Sequence, residues 1–243
     1  MNLDTSYLGL KLRNPLVASA GPMTQTVDRI ERLAEAGLGA VVLPSLFEER
    51  IRAEADRDER LAEVGIDSFG EAASYLVDPG ASAWPRQYLD LIERAAGSGV
   101  PVIASLNGST PGGWTDYARA MQDAGAAAIE LNIYYLPGPG SDVSPFPSGR
   151  DNEQRYVDIL AAVKSAVSVP VAVKLTPYFS SFGEMALRLE QAGADGLVLF
   201  NRFMQTDIDP DTFTVSTGFK LSSPAEATLP RSWIARLRGQ VRC

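Results

Sequence analysis

The sequence predicts an α/β chain of the (β/α)8 TIM-barrel type, here apparently truncated after six βα units. Three observations predict it. Short apolar runs alternate with amphipathic stretches along most of the chain. Two kinds of junction recur in turn: a helix–Ala–Gly–strand step at Ala36-Gly37, Ala124-Gly125 and Ala192-Gly193, and Val-Pro-Val at Val100-Pro101-Val102 and Val169-Pro170-Val171. Gly125 and Gly193 stand 68 positions apart, and Val100 and Val169 stand 69 apart, so a βα unit recurs about every 34 residues. Third, the apolar runs turn polar at their C-terminal ends, where parallel α/β folds carry their sites. The junction residues suit these roles. Gly ends a helix in the left-handed conformation, Pro opens a strand where its missing N–H costs nothing, and parallel strands need right-handed crossovers. An open doubly wound sheet fits the alternation too; the regular period favours the barrel. At 243 residues the chain is expected to form one domain over 1–243.

In chain order, residues 1–13 read as a hairpin or extended segment, with Leu8, Leu10 and Leu12 alternating with Gly9, Lys11 and Arg13. Asn14-Pro15 is a turn signal. Leu16 to Gly21 is the first strand, and Val27 to Ala36 a helix with Thr26 as N-cap and Gly37 as stop. Ala40 to Leu46 is the second strand. Residues 47–84 form a long insertion, charged and then Gly/Ser-rich, read either as a functional loop or in part as a solvated helix. Helices then follow at Gln87–Ala96, Trp114–Ala124, Asn152–Val167 and Phe182–Ala192. Strands alternate with them at Val100–Asn107, Ala126–Asn132, Val169–Thr176 and Gly196–Asn201. A Gly/Pro-rich loop runs from Leu136 to Gly149. Residues 202–222 are a second insertion, with a short strand at Thr212–Val215. Ala225–Arg238 is a last helix broken by Pro230, and Val241 stands where another strand would start.

Composition narrows the chemistry. With no histidine, and Cys243 as the single cysteine, no intramolecular disulfide, zinc site or His-based triad is available, so no metal is expected. What remains is Lys, Tyr, Ser, carboxylates or a cofactor. The net charge of −8 argues against a nucleic-acid or anionic-membrane partner. No basic leader begins the chain, and no run approaches the roughly 18 apolar residues of a membrane span. The expectation is a cytoplasmic protein acting on a small molecule, with a homodimer left open as its assembly.

The predicted strand ends read Ser19-Ala20-Gly21, Pro44-Ser45, Ser105-Leu106-Asn107-Gly108, Asn132, Lys174-Leu175-Thr176 and Asn201. Amides, small residues and one lysine make a donor-rich ring without a nucleophile–base pair. Such a ring suits a planar ligand bearing carbonyl and ring-nitrogen acceptors, a flavin for example. Asn107 and Asn201 either face the ligand or cap their own turns. Lys174 is either a ligand-facing cation or the partner of Glu130 on the adjacent strand.

Several of these stretches carry a family likeness: Asn14-Pro15, Ala18-Ser19-Ala20-Gly21, Glu130-Leu131-Asn132, Val173-Lys174-Leu175 followed by Pro177-Tyr178-Phe179, and Asn201. In their order and spacing the chain resembles the class 1 dihydroorotate dehydrogenases, FMN-dependent barrel enzymes of pyrimidine biosynthesis. The resemblance implies that Ser19, Ala20, Gly21 and Ser45 line FMN and that Asn107 and Asn132 bond its ring. It places Lys174 at the N1/O2 edge, where a cation stabilises the reduced flavin. It sets Asn132 and Asn201 against the substrate, a small cyclic donor oxidised at a CH–CH group.

The departures fall on the substrate side. Tyr134-Tyr135-Leu136-Pro137 stands where the family has Ser-Cys-Pro-Asn, which puts Tyr135 in the place of the cysteine base. Tyr135 joins Lys174 as a candidate catalytic residue, although an unperturbed phenol, with a pKa of about 10, is a poor base at neutral pH. Leu43-Pro44-Ser45 replaces the family's Thr-Lys-Ser, and residues 66–83 hold no clear match to its Asn-rich substrate loop. The family continues through two further strands whose Gly-rich ends bind the FMN phosphate. The chain is therefore expected to bind FMN weakly or not at all, an expectation that bound flavin colour would refute. Two other readings stand beside this one: a Schiff-base lyase with Lys174 as nucleophile, and a non-catalytic barrel remnant that binds a partner through its open edge.

Overall fold

The computed structural model describes residues 2–49, 51–52, 83–108, 110–133, 148–201, 206–217 and 222–243, the side chains of 83–84, 111, 206–207 and 216–217 excepted. The chain opens with a hairpin, β1 (Thr5–Tyr7) antiparallel to β2 (Leu10–Leu12). Six parallel strands follow: β3 (Val17–Ala18), β4 (Ala40–Phe47), β5 (Val102–Asn107), β6 (Ala128–Asn132), β7 (Val171–Leu175) and β8 (Gly196–Leu199). They lie side by side in chain order, β3-β4-β5-β6-β7-β8. A doubly wound sheet reverses its order at a switch point; this one never does. The sheet is thus an arc of (β/α)8 type, and right-handed crossovers put the intervening helices on one face.

Those helices are α1 (Val27–Glu35), α2 (Ala83–Ala95), α3 (Pro111–Asp123), α4 (Gly149–Ala166) and α5 (Phe182–Gln191). Alternate strand residues, among them Val41, Leu43, Ala104, Leu106, Ile129, Leu131, Val173 and Leu175, pack against Ile30, Ile92, Met121, Leu160 and Leu189 of the helices. Burying each such Leu or Ile contributes roughly 1.5–3 kcal/mol. The opposite parity lines the inside of the arc. Ala40, Val42, Ile103, Ala128 and Ala172 form a second cluster there with Leu8 and Leu12 of the hairpin. The hairpin therefore covers the lower inner face, and Gly196 has no Cβ because one would stand 2.5 Å from Leu8 Cδ2.

The repeated junctions do what their residues dictate. Gly37, Gly125 and Gly193 have φ of 94°, 97° and 97°. At each, the glycine N–H bonds a carbonyl three residues back and the next N–H one five residues back, the paired bonds that close a helix. Pro101 and Pro170 precede β5 and β7 and give their carbonyls to Val41 and Ile129 on the neighbouring strands. Asn14 is a latch: its amide donates to Gly37 O at 2.7 Å and accepts from Leu16 N at 3.0 Å.

Several elements differ from expectation. The first strand is only Val17–Ala18, and α2 begins at Ala83 rather than Gln87. Thr26 occupies the N-cap position of α1 without a side-chain capping bond. The second insertion holds a hairpin, β9 (Thr206–Ile208) with β10 (Val215–Thr217). Thr212 lies in its turn, not in a strand, because Asp209 Oδ1 accepts from the N–H groups of Asp211 and Thr212. The last helix is not broken at Pro230. A 3-10 turn at Pro224–Ala227 leads into α6 (Thr228–Leu237), and Pro230 falls in the first turn, where a missing N–H removes nothing. Val241 makes a single bridge to Arg238 instead of starting a strand. Residues 53–82 of the long insertion lie outside the described residues.

Candidate functional site

At the C-terminal half of the arc the inner face turns polar. The register sets Ser45 opposite Ser105, Ser105 opposite Glu130, and Asn132 opposite Lys174. Strict alternation would put Ser45 on the helix-facing side, since Val41 and Leu43 face that way. The pairing of β4 with β5 slips between Val42 and Ser45, at Pro44, which has no N–H for the ladder. That bulge turns Ser45 inward, while Leu46 returns to the helix-side core.

The side chains meet around Asn132. Its Nδ2 donates to Ser45 Oγ at 3.0 Å, and its Oδ1 accepts from Asn201 Nδ2 at 2.5 Å. Asn107 Nδ2 donates to the Asn132 carbonyl at 2.6 Å. Asn107 and Asn201 thus converge on Asn132. Asn201, two residues past β8, is carried there by its backbone N–H, which bonds Leu175 O. Ser45 and Ser105 share a hydroxyl–hydroxyl bond of 2.8 Å.

Lys174 Nζ lies 3.2 Å from Glu130 Oε1, across adjacent strands. The Glu130 side chain is 4% exposed and that of Lys174 15%. Burial pushes the Glu130 carboxyl above its ordinary range, although Lys174 and a hydrogen bond from Ser105 pull it down. The same carboxylate helps to raise Tyr7, whose phenol is pushed up to about 12 chiefly by burial. Burial raises Tyr88 as well. The Tyr88 hydroxyl donates to Ser105 O and accepts from Ser105 N, so it clamps the backbone of β5 from the helix side.

Ser19 is exposed at the end of β3, Ala20 packs on the inner cluster, and Gly21 leads into a short 3-10 turn at Pro22–Thr24. They share the C-terminal edge of the arc with the amide network. Tyr135, like Tyr134 and Pro137, lies outside the described residues. Sequence reasoning missed three groups: Ser105 as a link, Tyr88 as a clamp, and Glu48. Glu48 follows β4 and is buried, and Oε2 accepts from Thr110 N at 2.9 Å and Oε1 from Thr110 Oγ1 at 2.6 Å, at the N-terminus of α3. A carboxylate inside the charged run 48–60 gave no sign that it turns inward. Among the described residues no three His, Cys, Asp or Glu side chains gather to hold a metal ion, and no helix is long and apolar enough to cross a membrane.

Comparison with known proteins bears on this arrangement. The family model for dihydroorotate dehydrogenase matches residues 2–218. The dihydroorotate dehydrogenase B (NAD(+)) catalytic subunit of Methanothermobacter thermautotrophicus is 32% identical over 92% of this chain and 71% of its own length. Its namesake from Methanocella arvoryzae is 34% identical over 87% of this chain and 66% of its own. The one from Pyrococcus abyssi is 30% identical over 85% and 64%. The chain thus spans about two thirds of the length of these relatives. A solved phosphonopyruvate hydrolase overlays on 79% of this chain and 60% of its own at 17% identity and a TM-score of 0.48, too partial a likeness to add to this.

Proposed function

The chain belongs to the dihydroorotate dehydrogenase family, and from that premise we propose that it is an FMN-dependent oxidoreductase acting on the CH–CH group of a small cyclic donor. One observation carries the proposal: Lys174 and Asn132 stand side by side on β7 and β6, inside the arc, with the amides of Asn107 and Asn201 gathered on Asn132. One ammonium group, three amides and two hydroxyls match a flat ring edged with carbonyl and nitrogen acceptors. Lys174, Asn107 and Asn132 would hold the isoalloxazine, Ser19, Ala20, Gly21 and Ser45 would line it, and Asn132 and Asn201 would meet the substrate. When bound, FMN supplies the hydride acceptor.

The chain's own residues do the rest. Lys174 places a positive charge at the inner face, and Glu130 holds it there. The apolar cluster of Leu8, Val42 and Ile103 excludes water from below. Tyr135 is proposed to take the substrate proton where the family uses a thiol, which requires its phenol to be activated on ligand binding. The reading places the protein in pyrimidine biosynthesis in the cytoplasm, as a homodimer.

The Schiff-base alternative needs Lys174 as a free amine, but Lys174 is engaged with a buried carboxylate at 3.2 Å, so the ion pair favours the flavin reading. The deciding experiment is to titrate the purified chain with FMN, then add dihydroorotate anaerobically and follow the visible spectrum. Bleaching of a bound flavin is expected. Flavin that binds at saturating concentration but is not bleached by dihydroorotate removes the proposal.

A further inference from the structure

Ser45 faces Asn132 only because β4 slips, and a side chain from the helix layer stands at the slip. Val41 and Leu43 pack toward the helices and Val42 toward the inside. From Val42 to Ser45, three steps along β4 are matched by two along β5, and pairing resumes with Ser45 opposite Ser105. A bulge of this kind re-aims a side chain that strict alternation would put on the other face. It also disrupts the ladder, the more so here because Pro44 has no N–H to give. The disruption falls on Ser105. Pro101 gives its carbonyl to Val41 of β4, and Val102 gives its own to Ala127 beside β6. Continuing that alternation turns the N–H and C=O of Ser105 toward β4. Tyr88 of α2 meets both groups there with one atom: its hydroxyl donates to Ser105 O at 3.1 Å and accepts from Ser105 N at 3.0 Å. A phenol is donor and acceptor at once, and burial raises its pKa, so the proton it donates stays in place. The ring is buried in the helix-side core, which holds the hydroxyl at the slip. From Ser105 the contacts run on to the site: Ser105 Oγ meets Ser45 Oγ at 2.8 Å, Ser45 Oγ accepts from Asn132 Nδ2 at 3.0 Å, and Asn132 Oδ1 accepts from Asn201.

We infer that Tyr88 is a positioning residue: its hydroxyl holds the β4 slip open and so keeps Ser45 turned inward against Asn132. Without that hydroxyl, the buried N–H and C=O of Ser105 each lose a partner. They recover partners when β4 closes onto β5 in regular register. Closure returns Ser45 to the helix side and strips Asn132 Nδ2 of its acceptor. What the Asn132 amide binds rests on the flavin reading; where the amide stands does not.

The test uses the full chain without flavin and follows the Asn132 side-chain amide by 15N NMR, assigned by its loss in Asn132→Ser. Ser45→Ala, which removes the acceptor, supplies the reference shift. Tyr88→Phe deletes a single oxygen on the other side of the sheet. It is expected to shift the same signals, and to add nothing when combined with Ser45→Ala. Exchange of the Ser105 N–H should quicken about tenfold, the loss of roughly one hydrogen bond, while the N–H of Val173 on β7 keeps its wild-type rate. Asn132 signals unmoved in Tyr88→Phe, or shifted equally with and without Ser45, overturn the inference. Equal quickening at Ser105 and Val173, the mark of general loosening, overturns it too. Should Tyr88→Phe fail to fold, wild type decides. A Tyr88 hydroxyl proton protected from exchange and close to the Ser105 N–H by NOE supports the inference, and one that exchanges as freely as an exposed tyrosine overturns it. In a separate arm, bound flavin that dihydroorotate does not bleach removes the flavin reading and leaves the NMR signals to decide the role of Tyr88.

Discussion

Glu130 and Lys174 face each other from β6 and β7 at 3.2 Å, a carboxylate and an ammonium held inside the arc with little access to water. Removing one partner leaves the other buried without its counter-charge. Lys174→Met is therefore expected to cost about 3 kcal/mol, at the lower end for a buried pair because Lys174 keeps some solvent contact. Lys174→Met with Glu130→Leu should recover much of that loss. Urea denaturation of the four members of the cycle measures the coupling, and a double variant no more stable than Lys174→Met would contradict it.

The same carboxylate makes stability depend on pH in a definite direction. Its folded-state pKa lies above the ordinary 4.5 because burial outweighs Lys174 and Ser105. The folded chain therefore holds this proton more tightly than the unfolded one. The contribution is complete below the unfolded pKa and is lost as pH rises through the folded value. Relative to Glu130→Gln, wild type should lose stability as pH climbs from about 4 and then level off. A stability difference that stays flat across that range would contradict the assignment.

At the rim, Gly113 is matched to Glu48. A Cβ on Gly113 would lie 1.8 Å from Glu48 Oε2, inside the carboxylate that binds Thr110. Gly113→Ala should displace Glu48, strip the N-terminus of α3 of its acceptor and cost about 1–3 kcal/mol despite the better helix former. Thermal unfolding reads this directly. An alanine variant as stable as wild type would mean that Glu48 has another place to go.

Tyr135→Phe separates chemistry from packing. If the phenol takes the substrate proton, the variant should keep its flavin and lose turnover by a hundredfold or more, the usual scale of general-base catalysis, about 10²–10⁴-fold. Loss of flavin along with turnover would make Tyr135 a packing residue instead.

Much of this was legible in the residues because local chemistry fixes it. Gly37, Gly125 and Gly193 announce helix ends, since the left-handed turn each makes excludes most other residues. Pro101 and Pro170 announce strand starts. Asn132, Lys174 and Asn201 stood out as polar ends of apolar runs. What the sequence did not disclose depends on partners far along the chain. Ser105 reads as one small residue in the run Val102–Asn107, and only Ser45 on the neighbouring strand and Tyr88 from the helix side make it a link. Glu48 sits in a charged run and turns inward because Thr110, 62 positions later, meets it. Pro230 looked like a breaker because its effect depends on where the helix begins, and that beginning, Thr228, follows a 3-10 turn that Ser223 and Glu226 cap. The slip at Pro44 escapes period-two counting for the same reason: a single extra residue restores the pattern on the far side.

The hairpin at the chain's start gives the interior a depth. Leu8 lies against Gly196, and the phenol of Tyr7 feels the Glu130 charge from below. Anything that slides down between the strand ends runs aground one level beneath the Glu130–Lys174 pair. A ring can then rest at a single height, with its edge level with the cation. The first twelve residues, which carry none of the chemistry, thus act as a gauge for where the chemistry takes place.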